Sequence, residues 1–463
     1  MSQSLPRPPD AGVINAVRFG TDTFRFIEAM QSRFPDIVGI PIPGRAPLVQ
    51  VTNPDLIHDA LSRPEDFPRV PVSGPAALIA EQGLVQSEGQ LWRQQRNVMG
   101  SAFAGDQVRA YADTVGERVE ALCGEWRDRL AGTTTGAGRA TAADGASSFE
   151  TNLHFDMTAL TVRVASEILL GEDIGLDRAE QFSEWMQVAG DEFEFGIEAV
   201  LPEWVPTRTS PRFREAASGI RELSEELIER RREALAAGET EGPPDMLSML
   251  IRAESNPEVD FPENQIRDEV ATFLIAGHET TALSLTYAQS LLAWHPEVRE
   301  RVRAEAEAVI GDETPTHDHV DDLAYTGRVF TEALRLYPAA WAVFRQAKGD
   351  VQLGDYVVPD GSAVVMPQYA VHRDGRYFEN PHEFDPDRWL DRKPDTVPAY
   401  FPFSSGPHAC IGRQFSLTGA RLVLARIAQE FDVDVPEDGL DDLRATPTLR
   451  PGNGVDATVS VVE

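Results

Sequence analysis

The segment Phe401–Arg413, FPFSSGPHACIGR, holds Cys410, one of only two cysteines in the 463-residue chain. A structural thiol needs apolar neighbours and no glycines. A reactive thiolate needs room for a close approach and donors aimed at its sulfur. The stretch after Cys410, IGRQFSLTGARLVLARIAQEF, carries an apolar stripe at helical spacing, and a Ser-Ser-Gly-Pro turn precedes the cysteine. Cys410 is therefore expected in a loop aimed at a helix start, where free N–H groups and the helix dipole stabilise a thiolate. Gly406 and Gly412 are expected to clear both sides of the sulfur for something large and flat, with Phe403 closing one side. No Cys–His–Asn arrangement accompanies it, although His408 is near, so a metal-bound thiolate suits the segment better than a nucleophile. A single cysteine cannot hold zinc or an iron–sulfur cluster. A haem with one axial thiolate needs only one.

A second polar group sits where apolar residues are expected. The run from Asp260 to His295 reads as a helix capped by Asp260, with Pro262 in its first turn and Glu263 three residues after the cap. It spans about 33 residues, or about 50 Å, and its middle is apolar nearly all round. Within that middle lies AGHETT, Ala276–Thr281. The plainer expectation is a helix face that meets water locally. The functional expectation is a helix opened at this point, with Gly277 leaving room for a ligand and Glu279 and Thr280 handling protons. A third group, Glu332 and Arg335, is three apart on one helix face. Flanked by Phe330, Leu334 and Leu336, it reads as a buried ion pair that needs further partners.

These groups must be positioned by a mainly helical chain with a smaller β region. Residues 20–130 and 150–345 are mostly helical in pattern. VQLGDYVVPDGSAVVM (351–366) reads as a hairpin about Pro359-Asp360-Gly361, and VDATVSVV (455–462) alternates with period two. Small, polar residues 131–148 and the Gly-Pro-Pro break in 236–245 read as surface loops within one domain spanning 1–463.

Composition excludes several partners. The chain has 42 Lys and Arg against 75 Asp and Glu, a net charge of −33. That opposes binding to nucleic acid or to anionic membrane surfaces. The acids are spread along the whole chain, as hydration in concentrated salt requires, so a halophilic, archaeal source is expected. The start of the chain shows no signal pattern and no apolar run is long enough for a membrane span, which implies a cytoplasmic protein. Cys123, in a helical context, reads as a buried, inert thiol.

Four motifs in order resemble those of the cytochrome P450 enzymes. Phe403–Gly412 resembles their haem-binding signature, and AGHETT the oxygen-activating segment of their long central helix. EALR (332–335) is similar to their Glu-x-x-Arg pair, and FDPDRW (384–389) to the element supplying a second arginine. The resemblance implies the cytochrome P450 fold, with the long central helix over haem b and Cys410 as the iron ligand. Ala276 and Gly277 would line the haem, and Arg388 would join Glu332 and Arg335 in a structural cluster behind it. Trp92, Arg96, Arg345 and His408 would hold its propionates.

The implied activity is insertion of one oxygen atom of O2 into a lipophilic substrate, fatty acid or isoprenoid-like, with Glu279 and Thr280 delivering protons. Substrate contacts are implied near 71–85, Ala276, 339–344 and 447–454. A monomer without a fused reductase is implied, served by a ferredoxin-type donor and its reductase that dock on basic residues such as Arg413. Alternatives are a peroxide-using haem-thiolate enzyme and a non-catalytic haem-binding sensor. The Glu279-Thr280 pair argues against both.

Overall fold

The computed structural model describes residues 3–9, 12–71, 74–132, 140–143, 146–193, 209–238, 245–256, 259, 261–262 and 264–462. The first helices are α1 (Gly12–Thr21), α2 (Thr23–Arg33), α3 (Pro54–Ser62), α4 (Gly89–Gly100) and α5 (Gly105–Leu130). The middle of the chain forms α6 (Leu153–Ala165), α7 (Leu176–Glu192), α8 (Pro211–Ala237), α9 (Met246–Glu254) and α10 (Gln265–Trp294). The last helices are α11 (Pro296–Val309), α12 (Ala324–Leu336), α13 (Gln368–Val371) and α14 (Arg413–Glu430). Local chemistry sets their starts. Asn53 accepts from the N–H groups of Asp55 and Leu56 ahead of α3, and Ser210 accepts from Phe213 ahead of α8, each with proline in the first turn.

Strands β1 (Gln3–Ser4), β2 (Ile37–Ile40) and β3 (Leu48–Val51) precede β4 (Ala140–Ala143) and β5 (Ala146–Asn152). Then come β6 (Val343–Gln346), β7 (Val351–Leu353), β8 (Tyr356–Val358) and β9 (Ala363–Met366). β10 (Phe431–Asp434), β11 (Leu443–Ala445), β12 (Leu449–Pro451) and β13 (Asp456–Val461) complete the set. One sheet has the order β2-β3-β9-β6, and another β10-β13-β5-β4.

Several expectations are corrected. Residues 351–366 do not form one hairpin about Pro359-Asp360-Gly361. The chain reverses at Gly354-Asp355, where Leu353 pairs with Tyr356. Gly354 has φ +56, which suits a two-residue hairpin turn. β9 then leaves for the other sheet, between β3 and β6. Val364, Val365 and Met366 are fully buried and need cover on both faces, which a lone hairpin cannot give. The stretch 20–130 also contains β2 and β3, runs too short to outweigh the helical pattern around them. Of the two loops, 131–148 contains β4 and the start of β5, and residues 133–139 and 144–145 lie outside the described ones. In 236–245, α8 closes at Gly238, and 239–244 lie outside the described residues.

α10 is the axis of the fold. It packs against α6, α8 and α12, and it stops before His295 as the sequence implies. It starts later than expected, at Gln265, after Asn264 in the left-handed region with no side-chain cap. Asp260 and Glu263 lie outside the described residues. The helix is not opened at AGHETT: it runs unbroken for 30 residues. No helix among the described residues is long and apolar enough to cross a membrane.

Candidate active site

Cys410 sits one turn before α14. Its N–H donates to the Phe403 carbonyl at 2.9 Å, and Ala409 N–H donates to Gly406 at 3.1 Å, so the loop folds back on itself. The sulfur accepts from Gly412 N–H. Cys410 is exposed by surface area, yet protein atoms crowd it and push its thiol up. Gly412, Arg96 and Arg413 oppose that shift. The free thiol therefore stays protonated at neutral pH, whereas a bound metal cation holds it as the thiolate. The second cysteine, Cys123, is buried in α5, and burial pushes its thiol up as well.

The two glycines have different tasks. A Cβ on Gly412 would lie 4.0 Å from the Cys410 sulfur, so glycine here keeps that flank clear. Gly406 does not clear the sulfur. It has φ +73, and a Cβ would lie 2.3 Å from the carbonyl oxygen of Leu61, so it seats the loop against the end of α3. At Gly277 a Cβ would point towards α6 and the turn after it, 3.7 Å from Ala165 and 3.6 Å from Leu169, at ordinary contact distance.

Beside the cysteine loop, cations converge. Arg96 donates to the Ala409 carbonyl at 3.2 Å. Arg345 on β6 and Arg69 lie close enough that Arg69 is lowered to about 10, by burial first and then by Arg345 and Arg96, against the pull of Glu88. Burial also lowers Arg96 and Arg345. His408 packs edge-on to Trp92 at 4.4 Å and lies 3.6 Å from Glu88. Burial and the three guanidiniums lower it to about 3, so without the propionates it is neutral. Trp92 Nε1 is buried with no hydrogen-bond partner. Arg69 was missed by sequence reasoning: it stands alone after Pro68, outside any motif.

On α10 the polar side chains bond back to the helix. Thr280 donates to the Ala276 carbonyl at 2.9 Å, Thr281 to Gly277 at 3.2 Å, and His278 to Leu274. That is how a buried helix tolerates them. Glu279 and Thr280, adjacent on a helix of 3.6 residues per turn, point about 100° apart. Glu279 accepts from Thr448 at 2.8 Å and lies 3.5 Å from Arg450, just before and on β12. A Cβ on Gly190 of α7 would lie 1.6 Å from the Arg450 guanidinium, so that glycine is the slot in which Arg450 lies. Glu279 also lines a cavity of about 190 Å³ with His154, His278, Asn152 and Arg450. Neither Thr448 nor Arg450 was identified as a partner of Glu279, because only the fold brings β12 to α10.

The third group is a closed network. Arg335 donates to both oxygens of Glu332 at 2.8 and 2.9 Å, and to the carbonyls of His372, Pro381 and Glu383. Arg388 adds a bond to Glu332 at 3.2 Å, and Trp389 Nε1 one at 2.8 Å. Glu332 and Arg335 are both 0% exposed. From here the network reaches the cysteine loop. Phe401 N–H donates to His372 Nε2 at 3.0 Å, and Tyr400 donates to the Thr331 carbonyl at 3.0 Å.

A family model described as cytochrome P450 matches residues 6–453. The chain belongs to the cytochrome P450 family. It is 32% identical, over 84% of its length, to cyclooctat-9-en-7-ol 5-monooxygenase of Streptomyces melanosporofaciens, covering 80% of that protein. It is 27% identical over 89% of its length to 11-oxo-beta-amyrin 30-oxidase of Glycyrrhiza uralensis, covering 78% of that protein. Among solved structures it is similar to the haem domain of cytochrome P450DA, with a TM-score of 0.81, 26% identity, and coverage of 100% of this chain and 98% of that one.

The protein is thus a cytochrome P450 monooxygenase that binds protoporphyrin IX iron, and its residues fit that group. Among the described residues only Glu88 stands among the three guanidiniums, so they lack counter-charge that two propionates supply, and the buried indole N–H of Trp92, packed against His408, is a donor with no partner. Among the described residues no cluster of three or more His, Cys, Asp or Glu could hold a metal, which leaves the single accessible sulfur as the ligand type that suits haem iron.

Three histidines of this P450 are buried and neutral. Burial lowers His372 and His154 to about 3 and His278 to about 4. In the unfolded chain they take up protons below about pH 6.5. The unfolded state therefore binds more protons between pH 6.5 and about 4, and stability falls as the pH drops through that window. Each contributes a slope of about 1.4 kcal/mol per pH unit. His372→Asn is expected to remove one such slope, read from urea midpoints between pH 7 and pH 5. An unchanged slope means that His372 is not buried neutral.

Proposed function

We propose that this P450 inserts one atom of O2 into a lipophilic, isoprenoid- or fatty-acid-like substrate, using electrons from a separate ferredoxin-type protein and its reductase. The observation that carries the reading is the accessible Cys410 sulfur at the start of α14, beside the Arg69, Arg96 and Arg345 cluster. The substrates named for the two relatives, cyclooctat-9-en-7-ol and 11-oxo-beta-amyrin, support the lipophilic class.

Bound haem supplies the activation of O2 and the electron relay. The chain supplies the rest. Cys410 binds the iron, with Gly412 N–H donating to its sulfur. Arg69, Arg96, Arg345, His408 and Trp92 hold the propionates. Glu279 takes protons from the cavity it lines behind α10, and Thr280, about 100° round the helix, holds a proton at Oγ1. The Glu332–Arg335–Arg388 network holds the cysteine loop. Arg413 is a weaker docking residue than its charge implies, because Asp395 pairs with it.

Thr280→Ala and Glu279→Gln test the proton path. Thr280→Ala is expected to divert reducing equivalents from product to hydrogen peroxide. Glu279→Gln is expected to lower turnover by roughly 10²-fold, the low end for a positioned proton donor. Product and peroxide measured per NAD(P)H consumed decide it: unchanged ratios and rates in both variants mean that protons travel elsewhere.

A further inference from the structure

We propose that the surface pocket where the ends of α10 and α12 meet residues 369–384 is a second ligand site, which takes a planar aromatic carboxylate with Arg373 as the partner of its charge.

The pocket has a volume of about 710 Å³, within the range of small-molecule sites. It lies apart from the chemistry at AGHETT: Trp294, the last residue of α10, is about 20 Å along the helix from Thr280. Trp294, Tyr337, Tyr369 and Phe384 line it, and each ring is fixed by a contact of its own. Trp294 Nε1 donates to the Val435 carbonyl at 3.1 Å. Tyr337 packs on Tyr287 with ring centroids 5.3 Å apart, Tyr369 on Phe24 at 4.6 Å, and Phe384 on His295 at 5.0 Å. Aromatic walls set in advance lose little freedom when a flat ring packs against them.

Among the described residues, Arg373 is the only guanidinium in the lining and Glu383 the only carboxylate. The Arg373 guanidinium lies 3.7 Å from the ring centroid of Tyr369 and 5.1 Å from that of Tyr337. Its one hydrogen bond among the described residues goes to the Tyr369 carbonyl at 3.3 Å. Part of the side chain stays open to solvent, yet protein atoms crowd it and burial lowers it. The one carboxylate that opposes this, Glu28, acts less than the two tyrosines do. In a chain with 75 Asp and Glu, this arginine is thus short of counter-charge. The tyrosine rings take its flat face, and the N–H groups at its edge remain, the fork from which a carboxylate accepts in pairs. A ring bearing a carboxylate answers both features at once, whereas a cation would be repelled by Arg373 and a neutral ring would leave it unpaired. Glu383, exposed in the lining, opposes an anion, so its charge sets a limit on affinity that a variant can lift.

The test is a calorimetric titration of the haem-loaded protein with 2-naphthoate, with a phenyl-substituted imidazole held on the iron so that the probe does not enter there. 2-Naphthalenemethanol, which keeps the rings and lacks the charge, is the control. The expected result is one site for 2-naphthoate, with the alcohol bound about tenfold more weakly. Arg373→Gln is expected to weaken 2-naphthoate by about tenfold, as befits loss of a charge-assisted bond, and to leave the alcohol unchanged. Arg373→Lys, which keeps the charge but not the fork, should lose less. Glu383→Gln should tighten 2-naphthoate by about threefold, the scale of an exposed charge, and it decides the matter if Arg373→Gln does not fold. No binding to the wild type, equal binding of the two probes, or a 2-naphthoate affinity that neither variant moves overturns the site.

Discussion

Glu332→Ala is expected to destabilise the protein by about 3–5 kcal/mol, the cost of leaving one half of a buried ion pair uncompensated. Arg335 is 0% exposed and would lose both of its carboxylate bonds, while Arg388 and Trp389 lose one each. Carbonyls of His372, Pro381 and Glu383 would remain around Arg335, but none of them carries the opposing charge. Domain stabilities lie near 5–15 kcal/mol, so the loss is a large share of the total. The damage should travel to the cysteine loop, because Tyr400 and Phe401 are tied to Thr331 and His372 next to the network. The expected result is a lower urea midpoint together with poor haem retention. Arg388→Ala should be milder, since Arg335 still neutralises Glu332. A Glu332→Ala protein within about 1 kcal/mol of wild type would contradict the reading of this network as the support of the loop.

Cys410→Ser is expected to have the largest effect on activity. Serine preserves the size of the side chain but offers no thiolate, and the electron density that a thiolate pushes onto the iron favours cleavage of the O–O bond. Axial ligands spread haem potentials over about 0.8 V, so loss of the anionic sulfur should raise the potential by roughly 0.1 V or more. Substrate oxidation should fall to background, while the loop, held by Phe403, Gly406 and α14, keeps its shape. A spectroelectrochemical titration of the variant gives the answer. An unchanged potential together with retained turnover would remove Cys410 from the iron.

Much of this was legible in the sequence because the chemistry is local. The helix start after Cys410, the i,i+3 pair Glu332 and Arg335, and the polar insert in an apolar helix each lie within one short stretch. The features that could not be read depend on contacts between distant segments. Gly406 looked like clearance for a ligand, and only the approach of Leu61 shows that it seats the loop. Gly277 looked like an opening, and the helix there is continuous. Arg69 belongs to no motif, and it joins the cation cluster only because the segment after α3 lies beside β6. The partnership of Glu279 with Thr448 and Arg450 spans most of the C-terminal half of the chain. The 351–366 hairpin failed for a related reason: β9 is claimed by β3 and β6, and local turn residues carry no record of that.

The measurement that tests the central claim most directly is the carbon monoxide difference spectrum of the dithionite-reduced, haem-loaded protein. A strongly red-shifted Soret band is the predicted result, since it requires iron bound by the Cys410 thiolate. A histidine-like band would mean that Cys410 is protonated or displaced, and its role as the iron ligand would be contradicted.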